Sequence, residues 1–213
     1  MTPLAIGFAV VGAVFGILAD RLATRWPEHD EEVPAGRPIG WRTAVCAAFG
    51  ALAFAILPTR FAGDPLALAL FGAWFATLVV GMATDLDQRL LPDVLTLPVI
   101  PIALVYTLSG RNPLVGGDVL PAIAIATLVP LVLYLLSIPF GAGAFGIGDV
   151  KMLVGVGLMS GAIRAFTGLV SGLFAAGVVL VVLIVARRVT MKSYVPYGPF
   201  LIFGAVWGIL VRP

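Results

Sequence analysis

Long apolar runs separated by short polar breaks fill this chain. The runs cover residues 3–22, 43–57, 65–83, 94–108, 119–138, 150–159, 165–186 and 199–211. A helix needs about 20 apolar residues to cross the hydrocarbon core of a bilayer. The pattern therefore predicts an all-α, polytopic membrane bundle of about eight transmembrane helices. The second, fourth, sixth and eighth runs are short or broken by Pro or Gly, which makes seven the alternative count. Pro98, Pro101, Pro121 and Pro130 fall inside runs, where membrane helices accept proline if neighbours re-satisfy the freed backbone groups. Small residues such as Gly172 and Gly177 allow close helix approach. The first run exceeds a signal-peptide core, follows no basic cluster and ends in Asp20-Arg21 rather than a small-residue cleavage site. It reads as a retained span.

The one polar stretch of any length is 23–42, with Arg25, Glu28, Asp30, Glu31, Glu32, Arg37 and Arg42. It reads as an exposed loop, too short for a packed domain, so residues 1–213 read as a single membrane domain. The distribution of Lys and Arg orients the chain. With the N-terminus outside and eight spans, Arg21, Arg25, Arg37, Arg42, Arg89, Lys151, Arg187, Arg188 and Lys192 fall inside. Arg60, Arg111, Arg164 and Arg212 fall outside. The bias places loop 23–42 in the cytoplasm.

Composition supports the class. The chain is 61% apolar, its mean hydropathy is +1.10, and it holds 13 Lys and Arg against 11 Asp and Glu. A soluble domain of this size has no interior large enough to hide that much apolar surface. The net charge of +2 says little, and no nucleic-acid partner is expected. Cys46 is the single cysteine and His29 the single histidine, which excludes an internal disulfide and argues against a metal cage or a Ser-His-Asp triad. No metal is expected.

Against this background the acids near the runs need a reason, because ionisable groups at membrane depth are costly and usually functional. Asp149 lies in Gly146-Ile147-Gly148-Asp149-Val150-Lys151, and Asp85, Asp87 and Asp93 lie in a cluster that begins with Asp85, 64 residues upstream of it. Two spans separate the groups, so the chain goes out and returns, and both loops face the cytoplasm. Two close carboxyls share a proton, giving an acid and a base in one unit. Such a pair can activate a water against a peptide carbonyl and protonate the leaving nitrogen. Gly146 and Gly148 would permit positive φ and leave room for a substrate backbone. A plainer reading makes Asp149 and Asp93 helix N-caps, and puts Asp87 beside Arg89 in an exposed polar loop. On the residues alone, Asp85, Asp87 and Asp93 each stand as the partner of Asp149.

These stretches resemble the type IV prepilin peptidase family, membrane aspartic proteases with a Gly-x-Gly-Asp motif. Gly146 to Met152 matches the second catalytic motif, with Lys151 and, further on, Gly157. Asp85 to Asp93, ending in Leu-Pro-Asp, matches the first, in which the acid eight positions before the last is catalytic. The tail Val195 to Phe200 resembles the C-terminal signature, and 12–22 echoes the first helix. The resemblance implies that Asp85 and Asp149 are catalytic. It makes Gly146, Gly148 and Lys151 the active-site loop and Asp87 and Asp93 supporting candidates. Lys151 would set the ionisation of the pair, touch substrate or simply anchor a helix end. The implied substrates are prepilins or pseudopilins with a basic leader and an apolar N-terminal helix, cut at the cytoplasmic face of the bacterial inner membrane, in contact with lipid. Glu28, Asp30, Glu31 and Glu32 would attract the leader or be merely solvated. Many relatives carry a cytoplasmic insert with two Cys-x-x-Cys pairs between the first two spans, associated with N-methyl transfer from S-adenosylmethionine. Loop 23–42 has no cysteine, so this is a short form, and S-adenosylmethionine is expected only if that second activity is present. The rival classes are a transporter with proton-coupled acids and an inactive pilus-assembly protein.

Overall fold

A computed structural model describes residues 2–29, 35–141, 145–188 and 197–210. Asp30, Glu31, Glu32, Lys192, Val195, Pro196 and Arg212 lie outside the described residues. Helices alone make up the regular structure of the described residues: α1 (Pro3–Ala23), α2 (Trp41–Phe61), α3 (Pro65–Gln88), α4 (Asp93–Thr96), α5 (Val99–Leu108), α6 (Val119–Ser137), α7 (Ile147–Ser160), α8 (Ala162–Val185) and α9 (Gly198–Leu210). Each of the eight expected runs is mainly helical over its described residues. Five helices, α1, α2, α3, α6 and α8, are long and apolar enough to cross a membrane, and Asp93–Leu108 and Gly198–Leu210 are shorter apolar helices. The protein is an all-α membrane bundle.

The fourth run divides at Leu97-Pro98, where Pro98 becomes the N-cap of α5, because proline brings no N–H to continue a ladder. The largest departure from expectation is at the end of α3. The helix starts on Asp64, whose Oδ1 accepts from the Ala67 amide at 3.0 Å. It continues past the apolar run to Gln88, so Asp85 and Asp87 sit in its last turn and not in a loop. Arg89 ends it in the left-handed conformation (φ 56°, ψ 39°), with its N–H donating to the Asp85 carbonyl. That conformation is uncommon for a residue with a Cβ, and it turns the chain sharply back along the helix.

α3 forms the centre. Phe71, Phe75, Leu78, Val79, Met82 and Ala83 are buried, as are Ile202, Val206 and Ile209 of α9. Phe61 stacks on Phe71 with centroids 4.3 Å apart, and Tyr106 meets Phe71 edge-on. Glycines let the outer pairs close. A Cβ on Gly12 would fall 2.1 Å from the Gly50 carbonyl oxygen, and one on Gly16 2.1 Å from that of Cys46. The order of these contacts makes α1 and α2 antiparallel. Gly168 and Gly172 likewise meet Gly204 and Phe200 backbone, locking α8 onto α9. The far end of α7 is fixed by polar groups in an apolar setting. Buried Thr107 donates to the Leu158 carbonyl at 2.7 Å, and buried Asn112 donates to that of Met159 at 3.0 Å.

Gly204→Ala puts a methyl 2.2 Å from the Gly168 oxygen and is expected to destabilise the bundle by about 1–3 kcal/mol. Gly177→Ala meets nothing within 4 Å and is expected to leave stability unchanged. Thermal unfolding of both proteins in detergent checks the contrast.

Candidate active site

Asp85 is 6% exposed and lies against the start of α9. A Cβ at Gly198 would sit 2.6 Å from Asp85 Oδ2 and 2.9 Å from Oδ1. Only a glycine leaves the acid this space. Asp149 lies in the first turn of α7, whose N-cap is Gly146. A helix N-terminus is a favourable place for an acid because free N–H groups point there. A Cβ on Gly146 would fall 3.0 Å from Asp149 Oδ2, so the acid folds back over its own helix start. Asp149 is not the N-cap, and neither is Asp93, whose helix is capped by Pro92.

The two acid-bearing segments touch. After Arg89 the chain brings buried Leu91 back against α3, where its side chain lies 3.0 Å from the Cβ position of Gly81. On its other side, a Cβ at Gly148 would fall 2.8 Å from Leu91 Cβ and 2.9 Å from the Leu91 carbonyl oxygen. This corrects the expectation for the glycines. Gly146 has a φ of −67°, and neither it nor Gly148 is among the described glycines with positive φ. The room at Gly148 is taken by the chain's own first motif and is not left for a substrate.

Between the two segments lies a cavity of about 540 Å³. Asp85, Arg89, Leu91, Asp93, Tyr134, Phe145, Gly146, Gly148, Asp149 and Lys151 are among the residues that line it. Asp85 Oδ2 and Asp149 Oδ1 are buried and have no hydrogen-bond partner among the described residues. Leaving a buried polar atom unpaired costs about 1–3 kcal/mol, and such atoms in a native fold often mark a reactive group. Lys151 Nζ donates to Asp93 Oδ1 at 2.6 Å, so the lysine is partnered by the supporting acid at the rim.

Asp87 lies elsewhere. It is 7% exposed, not in an exposed loop, and turns away from the cavity into an ion cluster. Arg37 Nε donates to its Oδ1 at 2.5 Å, Arg42 Nη1 to the same oxygen at 3.1 Å, and His29 Nε2 stands 3.1 Å from Oδ2. Arg37 also donates to buried Asp20, which accepts from Arg21 and Thr43 as well. Burial works against the Arg37 charge, but its hydrogen bonds to Asp87 and Asp20 outweigh that and raise its pKa. His29, Arg37 and Arg42 thus tie this segment to the acids of α1 and α3, while Arg25, Glu28 and most of residues 35–40 are exposed, as the loop reading expects.

Comparison with known proteins fits this geometry. The model of the type IV leader peptidase family matches residues 70–186, more than half of the chain. The chain belongs to this family. It is 32% identical over 176 residues to the prepilin leader peptidase/N-methyltransferase of Burkholderia pseudomallei (strain 1026b), covering 78% of this chain and 54% of the relative. It is 32% identical over 155 residues to that of Pectobacterium carotovorum subsp. carotovorum, covering 68% and 53%. The relative of the same name from Aeromonas salmonicida (strain A449) is 29% identical over 149 residues, covering 66% and 49%. The chain spans about half the length of the curated relatives it matches. No solved structure matches it.

The part matched by the leader peptidase family holds both acids, Leu91, Asp93, Gly148 and Lys151. The roles of Leu91 and Tyr134, which line the cavity, and of Gly198, which lies against Asp85, are not legible in the sequence. Leu91 and Gly198 were visible only as parts of motifs, because their contacts are tertiary. Tyr134 had a signal, as a polar ring within the apolar run of α6. Gly148→Ala is expected to cost about 1–3 kcal/mol by forcing Leu91 away. Asp93→Asn, which breaks a pair whose carboxylate is 60% exposed, is expected to cost less than about 1 kcal/mol. Thermal unfolding in detergent measures both.

Proposed function

We propose that this protein is an aspartic endopeptidase that removes the basic leader of type IV prepilin-like proteins, with Asp85 and Asp149 as the catalytic pair. The observation that supports it most directly is that two acids 64 residues apart line one cavity, each with a buried unpaired oxygen. One carboxylate takes a proton from a water as its oxygen bonds to the scissile carbonyl carbon. The other, protonated, donates to the carbonyl oxygen. Collapse of the tetrahedral adduct breaks the C–N bond, and the nitrogen leaves with a proton returned by the pair. Gly146, Gly148 and Gly198 give the acids space, and Lys151 with Asp93 forms a charged rim.

The excess of Lys and Arg on the segments beside this cavity supports a cytoplasmic site in a bacterial inner membrane. A substrate's apolar helix would remain in lipid while its leader reached the acids. A transporter relay would need acids near the bilayer midplane, whereas these occupy helix ends. The relatives' name includes N-methyltransferase. Two of the described cavities have the size to be considered for S-adenosylmethionine. One is lined by the acids of the peptidase site. The other, of about 500 Å³ and walled by residues such as Val45, Leu52, Phe49 and Phe203, is apolar and lacks partners for an adenine and an amino acid. No step here passes through that donor.

Co-expression with a leader-bearing prepilin tests the reading by gel shift. Asp85→Asn and Asp149→Asn are each expected to lower cleavage by about 100- to 10,000-fold, with the protein still present in membranes. Gly198→Ala is expected to impair cleavage through Asp85, while Asp93→Asn retains most of it. Cleavage by either Asn variant at the wild-type rate would contradict the assignment.

A further inference from the structure

Asp87 is a buried acid that the proposed reaction does not use. It follows Asp85 by two positions, and two positions on a helix turn a side chain by about 200°. The last turn of α3 therefore presents Asp85 to the cavity and Asp87 to the opposite side. There it is held by Arg37 Nε at 2.5 Å. The same guanidinium donates to Asp20, a fully buried acid at the end of α1. Gln88, next in the turn, donates to the Pro27 carbonyl at 3.2 Å. Thus the segment joining α1 to α2 grips the terminal turn of α3 at successive residues. That turn ends on the left-handed Arg89, from which the chain runs directly to Leu91 and its contact with Gly148.

We propose that Arg37 is a positioning residue, whose planar fork spans Asp20 and Asp87 and so fixes the turn that aims Asp85 into the cavity. Lysine at this place keeps the charge but cannot span two carboxylates in the same way. The cleavage part of the test rests on the peptidase reading, while the labelling part does not.

The experiment compares wild type, Arg37→Ala and Arg37→Lys in the full chain, in detergent, per folded molecule. Both variants are expected to lower kcat on a leader-bearing prepilin by about 10- to 100-fold, with KM kept within about twofold. In a Cys46→Ala, Asp85→Cys background, each is expected to raise the rate of alkylation by N-ethylmaleimide about fivefold, as the turn opens more often. If Arg37→Ala fails to accumulate, Arg37→Lys alone decides. A wild-type kcat or a wild-type alkylation rate in folded Arg37→Lys overturns the proposal. If the wild type cleaves no prepilin, the functional reading fails and the alkylation rate alone decides on Arg37: a rise supports the role and no change overturns it.

Discussion

The structure depends on one close approach, the backbone of Gly148 lying against Leu91. Through it the end of α3 and the start of α7 share a wall, and the acids on them share a cavity. A side chain on residue 148 would have to overlap a backbone oxygen as well as a side chain, and main chain yields far less readily than the tip of a side chain. Everything else at the site is arranged to make this approach hold. The left-handed Arg89 returns the chain, Gly81 gives Leu91 a seat, and Thr107 and Asn112 fix the other end of α7.

Placing acids in such a bundle is expensive, and the fold uses two different remedies. Asp20 and Asp87 are paired and satisfied, surrounded by guanidiniums and a hydroxyl. A buried ionic network of this kind adds little over an apolar core, but removing one member leaves uncompensated charge, at a cost of about 3–5 kcal/mol. Asp85 and Asp149 have no such escort for one oxygen each. In the last turn of α3, Asp85, with an unpartnered oxygen, stands two positions from Asp87, whose oxygens are paired.

The sequence made the class, the helices and the candidate acids legible, because apolar run length and motif spacing are local properties. Spacing alone leaves Asp85, Asp87 and Asp93 open as partners of Asp149; only the resemblance to the family's two motifs singles out Asp85, and two intervening crossings imply a return to the same face. What escaped was set by tertiary contact. Asp87 looked like an exposed loop residue because its partners Arg37 and Arg42 are 50 and 45 positions away. Gly148 stands out in the sequence, but a glycine used for close approach and one used for positive φ are spelled alike, and here it serves close approach. Gly198 is informative only once Asp85 is seen resting on it.

The central claim is that Asp85 and Asp149 face each other across one cavity, and cross-linking in native membranes measures that directly. In a Cys46→Ala background, the Asp85→Cys, Asp149→Cys double variant should form an intramolecular cross-link with copper-catalysed oxidation or a short bis-maleimide, whereas Asp87→Cys paired with Asp149→Cys should not. Failure of the first pair to link with any short reagent, in protein whose two thiols each react singly, would contradict the account.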